Sequence, residues 1–238
     1  MKTAITITVR VKSERLPLKV LRYIKGKPMI EHQIDRLKLS KKANEIILCT
    51  STNPQDDILL DIAEKKGIKW FRGSEEDVLD RLFNAATKNN VDFIVSVTAD
   101  NPLVDPAYID RIIERFEETG ADIITCKTLP LGAFSYGVNL KALERVVRTK
   151  KEKDTEIWGG FFDGIADFKK MDLEVEEELR HPEIRLTVDF SEDLEFVRKV
   201  FDSLGDKNTF PLRSIINLLL ENPGLMEMNR HIAQRKHK

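Results

Sequence analysis

The chain has 238 residues, with 39 Lys and Arg against 40 Asp and Glu and a formal net charge of −1. That length suits one α/β domain, and the balanced charge excludes a protein that holds nucleic acid through an overall basic surface. No apolar run approaches the ~18 residues of a spanning helix. The N-terminus lacks the uninterrupted apolar stretch of a signal peptide.

In chain order, apolar runs of strand length fall at 4–9, 45–49, 69–71, 93–98, 122–125 and 184–188. Segments of helical period lie between most of them. Residues 28–39 place Ile30, Ile34 and Leu37 on one face. Asn53-Pro54 and Asp105-Pro106 read as N-caps followed by a first-turn proline. After the second pair, Ile109, Ile112, Ile113 and Phe116 make one apolar stripe. Ser191 is placed to cap a helix carrying Leu194, Val197, Phe201 and Leu204. Strand and helix alternate, which predicts a mostly parallel sheet covered on both faces, an α/β fold. The regularity weakens over 128–183, where "LPLGAFSYGVNL", the aromatic "WGGFF" and an acidic stretch suggest an insertion that forms a cleft wall or a dimer contact. The basic tail "NRHIAQRKHK" is expected to be partly disordered. Cys49 and Cys126 each end an apolar run and read as buried free thiols, which suits a reducing cytoplasm.

One loop departs from the balanced charge. "VRVKSERLPLKVL" follows the first strand, and Arg10, Lys12, Arg15, Lys19 and Arg22 fall within it or just beyond it. In doubly wound sheets, ligands bind outside the carboxyl ends of the strands. The residues found there are Arg10 to Lys19, Thr50-Ser51, Arg72-Gly73-Ser74, Asp100-Asn101 and Asp189. Clustered cations suit a polyphosphate, and two separated carboxylates suit a divalent metal on its oxygens. A local role is open for some of these groups. Asp189 and Ser191 compete to cap the same helix. Ser74 with Asp77 is close to a capping box, although a helix N-terminus also offers amides to an anion. No G-x-G-x-x-G follows the first strand and no G-x-x-x-x-G-K-[ST] occurs. The four histidines are scattered, and no nucleophile elbow or Cys–His pair is visible, so covalent catalysis is not indicated.

The order of these motifs resembles the cytidylyltransferase family, whose members activate 3-deoxy-manno-octulosonate and acylneuraminates with CTP. The pattern is most like the branch named for spore coat polysaccharide biosynthesis protein F. "RVKSERLPLKVL", "GKPM", "RGSEEDVLDR", "TADNPLVD" and "RLTVDFSEDLE" stand in the family's order across nearly the whole chain. The resemblance implies a three-layer, Rossmann-like nucleotidyltransferase fold in one domain spanning 1–238, with 128–183 serving acceptor binding or dimerisation. It implies that Arg10 and Lys19 hold the triphosphate and, with Asp100, form the catalytic set. Asp100 and Asp189 would hold Mg²⁺. Ser13 and Arg15 would shape the loop, with Arg72, Gly73 and Ser74 near the nucleotide. Arg81, Tyr136, Asn139 and Arg185 would serve the acceptor.

Three loop residues depart from the family pattern: Lys12 and Leu18 stand where it has glycines, and Glu14 where it has threonine. The implied reaction joins CTP to a sugar acid or related acceptor with release of pyrophosphate, in a cytoplasmic enzyme that acts on neither nucleic acid nor membrane and is compatible with a homodimer. Two alternatives stay open: a sugar-1-phosphate nucleotidyltransferase, and a nucleotide-binding protein without turnover. A D-x-D glycosyltransferase is disfavoured because Asn101-Pro102 follows Asp100.

Overall fold

The computed structural model describes residues 1–205 and 208–233. Strand β1 (Thr3–Thr8) is buried along its whole length. Its alternation sends Ile5 and Ile7 into one core and Ala4 into another, so the strand is covered on both faces. After a long loop, β2 (Tyr23–Ile24) and β3 (Lys27–Pro28) form a small antiparallel hairpin. Lys25 and Gly26 turn it, both at positive φ, as a tight two-residue turn requires. Then come α1 (Met29–Leu37), β4 (Glu45–Ser51), α2 (Asp57–Lys65), β5 (Lys69–Gly73), α3 (Val78–Lys88) and β6 (Phe93–Thr98). Asn53-Pro54 opens a single 3-10 turn that leads into α2. Asp105-Pro106 opens α4 (Pro106–Thr119), with the Asp105 carboxylate accepting from the Ala107 N–H at 2.7 Å. The remaining elements are β7 (Ile123–Thr125), β8 (Tyr136–Asn139), α5 (Leu140–Thr149), β9 (Lys170–Asp172), α6 (Ser191–Leu204), α7 (Leu212–Glu221) and α8 (Pro223–Glu227).

The main sheet runs β5-β4-β1-β6-β8-β7-β9. Only β8 runs against its neighbours; the other pairs are parallel. One apolar core packs α1, α2, α4, α6 and α7 on one face, and a second packs α3 and α5 on the other. The fold is thus the mostly parallel, two-faced α/β sheet the sequence predicts. Strand order reverses beside β1: β4 and β5 lie to one side and β6 to the other. Such a switch point opens a crevice at the carboxyl ends of β1 and β6.

Two local expectations are corrected. Residues 184–188 do not join the sheet, because both sides of β6 are already taken by β1 and β8. They run extended beside the loop before β8, through a single bridge between Leu131 and Arg185, and Val188 donates its N–H to the Asp100 carbonyl at 2.8 Å. Gly132 makes this approach possible: it lies at φ 95, and a Cβ there would stand 2.6 Å from the Thr187 nitrogen. Ser191 is the first residue of α6 and does not cap it. Asp193 instead reaches back to accept the N–H groups of Asp189 and Phe190 at 2.9 and 3.0 Å. Segment 128–183 contains β8 and β9 of the main sheet. Of the basic tail, 234–238 lie outside the described residues, whereas Asn229 is buried and donates to Asp193 and to the Arg185 carbonyl.

Candidate active site

A cleft of about 510 Å³ opens at the carboxyl ends of β1 and β6, within the usual range for small-molecule sites. Its floor is the loop between β1 and β2. Buried Leu16 and Val20 anchor that loop to the core, and a 3-10 turn over Lys19–Leu21 follows Leu18. Leu18 sits at φ 58, ψ 27, a left-handed conformation that costs a residue with a Cβ roughly 1–2 kcal/mol. The side chain at 18 therefore does not abolish the glycine-like turn; it makes the turn strained.

The turn directs Lys19 inward. Its Nζ lies 2.9 Å from Asp100 Oδ2 and 3.0 Å from Asp189 Oδ1, and also donates to the Val188 carbonyl at 3.1 Å. Burial opposes the ammonium charge, but Asp100 and Asp189 outweigh it and raise the Lys19 pKa. Burial likewise opposes the charge of Asp189, and Lys19, then Arg15 and Arg185, hold its carboxyl below the ordinary range. Arg15 reaches Asp189 at 2.8 Å. The support behind Asp189 is buried: Arg185 binds Asp189 at 3.0 Å and Asp193 at 2.8 Å, and the Asp193 carboxylate also pins the Asp189 amide. Asp100 is turned by Thr98, whose hydroxyl donates to its Oδ1.

Arg10, Ser13, Arg15, Lys19, Arg81, Asp100, Tyr136 and Asp189 all line the cleft. Arg72, Gly73, Ser74, Asn139 and Arg185 do not. Arg72 is committed to the Ser51 and Asn53 carbonyls at 2.9 and 3.0 Å and to Asp57 at 2.8 Å. Gly73 packs against the Arg81 side chain. Ser74 stands before a helix capped by Asp77, and its carbonyl accepts from Arg81 at 2.5 Å. Arg185 is turned inward, as described. Asn139 lies at the wrong edge of the sheet. Because β8 runs antiparallel to β6, Tyr136 pairs with Ser96 near the cleft, while Asn139 pairs with Phe93 at the opposite edge and caps α5.

Two carboxylates that the motif order did not reveal bear on the site. Glu156, on the segment after α5, pairs with Arg10 at 2.9 Å across the cleft mouth. Asp56 is buried behind the loop and accepts the Val11 N–H at 2.7 Å. The Asp pair in "NPQDD" was the available signal for Asp56; nothing local marks Glu156. Phe134, Tyr136 and Trp158 line the cleft as an aromatic wall, with Tyr136 and Trp158 ring centres 5.2 Å apart. Trp158 and Phe162 are buried in the chain's own second core, so "WGGFF" fills and walls the cleft. Cys49 and Cys126 are free and buried, and burial pushes both thiols up to about 12.

The cationic loop at the switch point can hold and neutralise a polyphosphate, and its Lys19 ammonium is held there between the two carboxylates. The same two carboxylates offer the hard oxygen donors that Mg²⁺ takes together with phosphate oxygens and waters. The fold and cleft thus define an α/β protein with a site suited to an anionic ligand.

Comparison with known proteins gives the family. The cytidylyltransferase profile matches residues 4–210, and this chain belongs to the cytidylyltransferase family. It is 31% identical over 224 residues to the spore coat polysaccharide biosynthesis protein SpsF of Bacillus subtilis, covering 91% of this chain and 93% of that one. It is 36% identical over 131 residues to a 3-deoxy-manno-octulosonate cytidylyltransferase of Chloroherpeton thalassium, covering 54% of this chain and 51% of that one. Its structure superposes on that of a cytidylyltransferase from Leptospira borgpetersenii with a TM-score of 0.89, at 26% identity and over 100% of both chains. Among the described residues, no helix is long and apolar enough to cross a membrane.

Proposed function

We propose that this protein transfers a cytidylyl group from CTP to a sugar acid or a related acceptor, releasing pyrophosphate, in the making of a surface polysaccharide or glycoconjugate. The observation that carries the reading is the position of Lys19 between Asp100 and Asp189, at the switch point of a cytidylyltransferase-family sheet. The names of the Bacillus and Chloroherpeton relatives supply the polysaccharide and sugar-acid parts of it.

In this reading an acceptor oxygen attacks the α-phosphorus in line. The bond to the bridging oxygen of pyrophosphate breaks, and its electron pair leaves with pyrophosphate. Arg10 and Lys19 hold the triphosphate, and their charges offset the negative charge that builds on the leaving group. Arg15 and Arg185 keep Asp189 ionised and oriented, while Thr98 orients Asp100. Asp100 and Asp189 would hold Mg²⁺, which when bound further neutralises the phosphate oxygens. The aromatic wall of Phe134, Tyr136 and Trp158 takes the acceptor's ring and excludes water, and Arg81, which lines the same cleft, offers it a cation. Two buried free thiols suit a reducing cytoplasm.

The test is a pyrophosphate-release screen. CTP, UTP, GTP and ATP are crossed with sugar acids and sugar phosphates, with and without Mg²⁺. Metal-dependent release with CTP and a sugar acid is expected. Lys19→Ala and Asp100→Asn should lower that rate by about 10²–10³-fold while the protein stays folded. Turnover like wild type in both variants would sink the assignment.

A further inference from the structure

We propose that Asp56 is a positioning residue for the loop after β1. It clamps the Val11 amide out of the ligand's reach, so that a polyphosphate chain is met by Arg10 and by the amides of Lys12 and Ser13. The identity of the anion rests on the nucleotidyl-transfer reading; the clamp rests on geometry alone. Asp56 is fully buried at the end of the 3-10 turn that follows β4. Its Oδ1 accepts the Val11 N–H at 2.7 Å, and its Oδ2 accepts the Ser51 hydroxyl at 2.5 Å. Ser51 Oγ in turn accepts the Asn53 N–H at 3.1 Å. One carboxylate therefore ties the cationic loop to the carboxyl end of the adjacent strand, across 45 residues of sequence.

A buried carboxylate immediately behind an anion-holding loop is costly on two counts. It is removed from water, and it repels the ligand the loop serves. A neutral acceptor would satisfy Val11 without the second cost. The charge contributes strength: an N–H bond to an ionised acceptor is shorter and roughly twice as strong as a neutral one. This loop needs that strength, because Leu18 holds a strained left-handed turn. With Val11 committed, the amides of Lys12 and Ser13 have no partner among the described residues, and both residues line the cleft beside Arg10. Arg81, also buried, lies within electrostatic reach of Asp56 and offsets part of its charge.

The probe is inorganic tripolyphosphate, titrated by calorimetry into the full-length protein and three variants, with a thermal melt of each. Asp56→Ala should bind about tenfold more weakly, since it leaves a buried N–H without its acceptor. Asp56→Asn keeps an oxygen for Val11 but loses the charge that strengthens the bond, so it should bind more weakly than wild type and more tightly than Asp56→Ala. Ser51→Ala removes the other bond of the same carboxylate, so it should melt lower yet bind like wild type. Equal binding by wild type and Asp56→Ala, or equal weakening by Asp56→Ala and Ser51→Ala, would overturn the proposal. If Asp56→Ala does not fold, amide spectra of the wild type decide. Lys12 and Ser13 should shift most on adding tripolyphosphate while Val11 stays protected from exchange; a dominant shift or loss of protection at Val11 overturns the clamp. Pyrophosphate release is read separately. Binding with the expected variant pattern but no release defeats the transfer reading and leaves the clamp standing, whereas no binding by the wild type overturns the clamp.

Discussion

Arg10 and Glu156 form an ion pair at 2.9 Å across the mouth of the cleft, joining the first loop to the segment that follows α5. In this arrangement the guanidinium assigned to the triphosphate already has an anionic partner. A ligand phosphate must displace Glu156 to reach it. Glu156 is more than half exposed, so the pair is solvent-screened and exchanges readily. Glu156→Gln should therefore tighten CTP binding by about two- to fivefold, the range expected for release of an exposed ion pair. Its kcat should be unchanged. Nucleotide titrations at low salt check this, and unchanged or weaker binding would refute the competition between Glu156 and phosphate for Arg10.

Leu18 offers a second test. It adopts a left-handed backbone with its side chain half exposed, so it incurs the conformational cost without the compensation of full burial. Leu18→Gly should stabilise the folded protein modestly, by up to ~1 kcal/mol, because the added freedom of glycine in the unfolded chain cancels part of the relief. Urea midpoints measure it; a clear loss of stability would show that the Leu18 side chain packs usefully.

The Lys19–Asp189 pair predicts how stability depends on pH. The Asp189 pKa is held below 3.8, against burial, by Lys19 and then Arg15 and Arg185. Its contribution is present above 3.8 and is lost as pH falls through the depressed folded value. The Lys19 pKa is raised above 10.5 because Asp100 and Asp189 outweigh burial. That contribution is present below 10.5 and is lost as pH rises through the raised value. Between those limits the pair adds no slope. Asp189→Asn should flatten the acid limb of the urea-midpoint profile in metal-free buffer, and an acid limb identical to that of wild type would count against the coupling.

Tyr136 and Asn139 sit three residues apart and should behave differently. Asn139→Ala removes a helix cap, so it should cost about 1 kcal/mol of stability and leave the acceptor KM unchanged. Tyr136→Ala should raise the acceptor KM severalfold with little effect on CTP binding, since it opens the aromatic wall. Steady-state kinetics with the acceptor identified by the screen separates the two. An acceptor KM that moves with Asn139 would contradict the edge-to-edge geometry of β8.

Much of the fold was legible because its signals are local. The apolar runs, the Asp105-Pro106 cap and the 3.6-residue stripe of α4 are each written within a dozen residues. So is the placing of Arg10 to Lys19 after the first strand and of Asp100 after β6, because a residue that follows a parallel strand lies at the carboxyl edge wherever that strand pairs. Only the tertiary structure decided the rest. It reversed β8, which put Tyr136 at the cleft and Asn139 at the far edge. It kept 184–188 out of the sheet, turned Arg185 inward onto Asp193, and spent Arg72 on backbone carbonyls. It also brought Glu156 to Arg10 and Asp56 to Val11. Strand direction, sheet occupancy and the partner of a long charged side chain depend on contacts far apart in sequence, and the periodicity of a short segment carries no record of them.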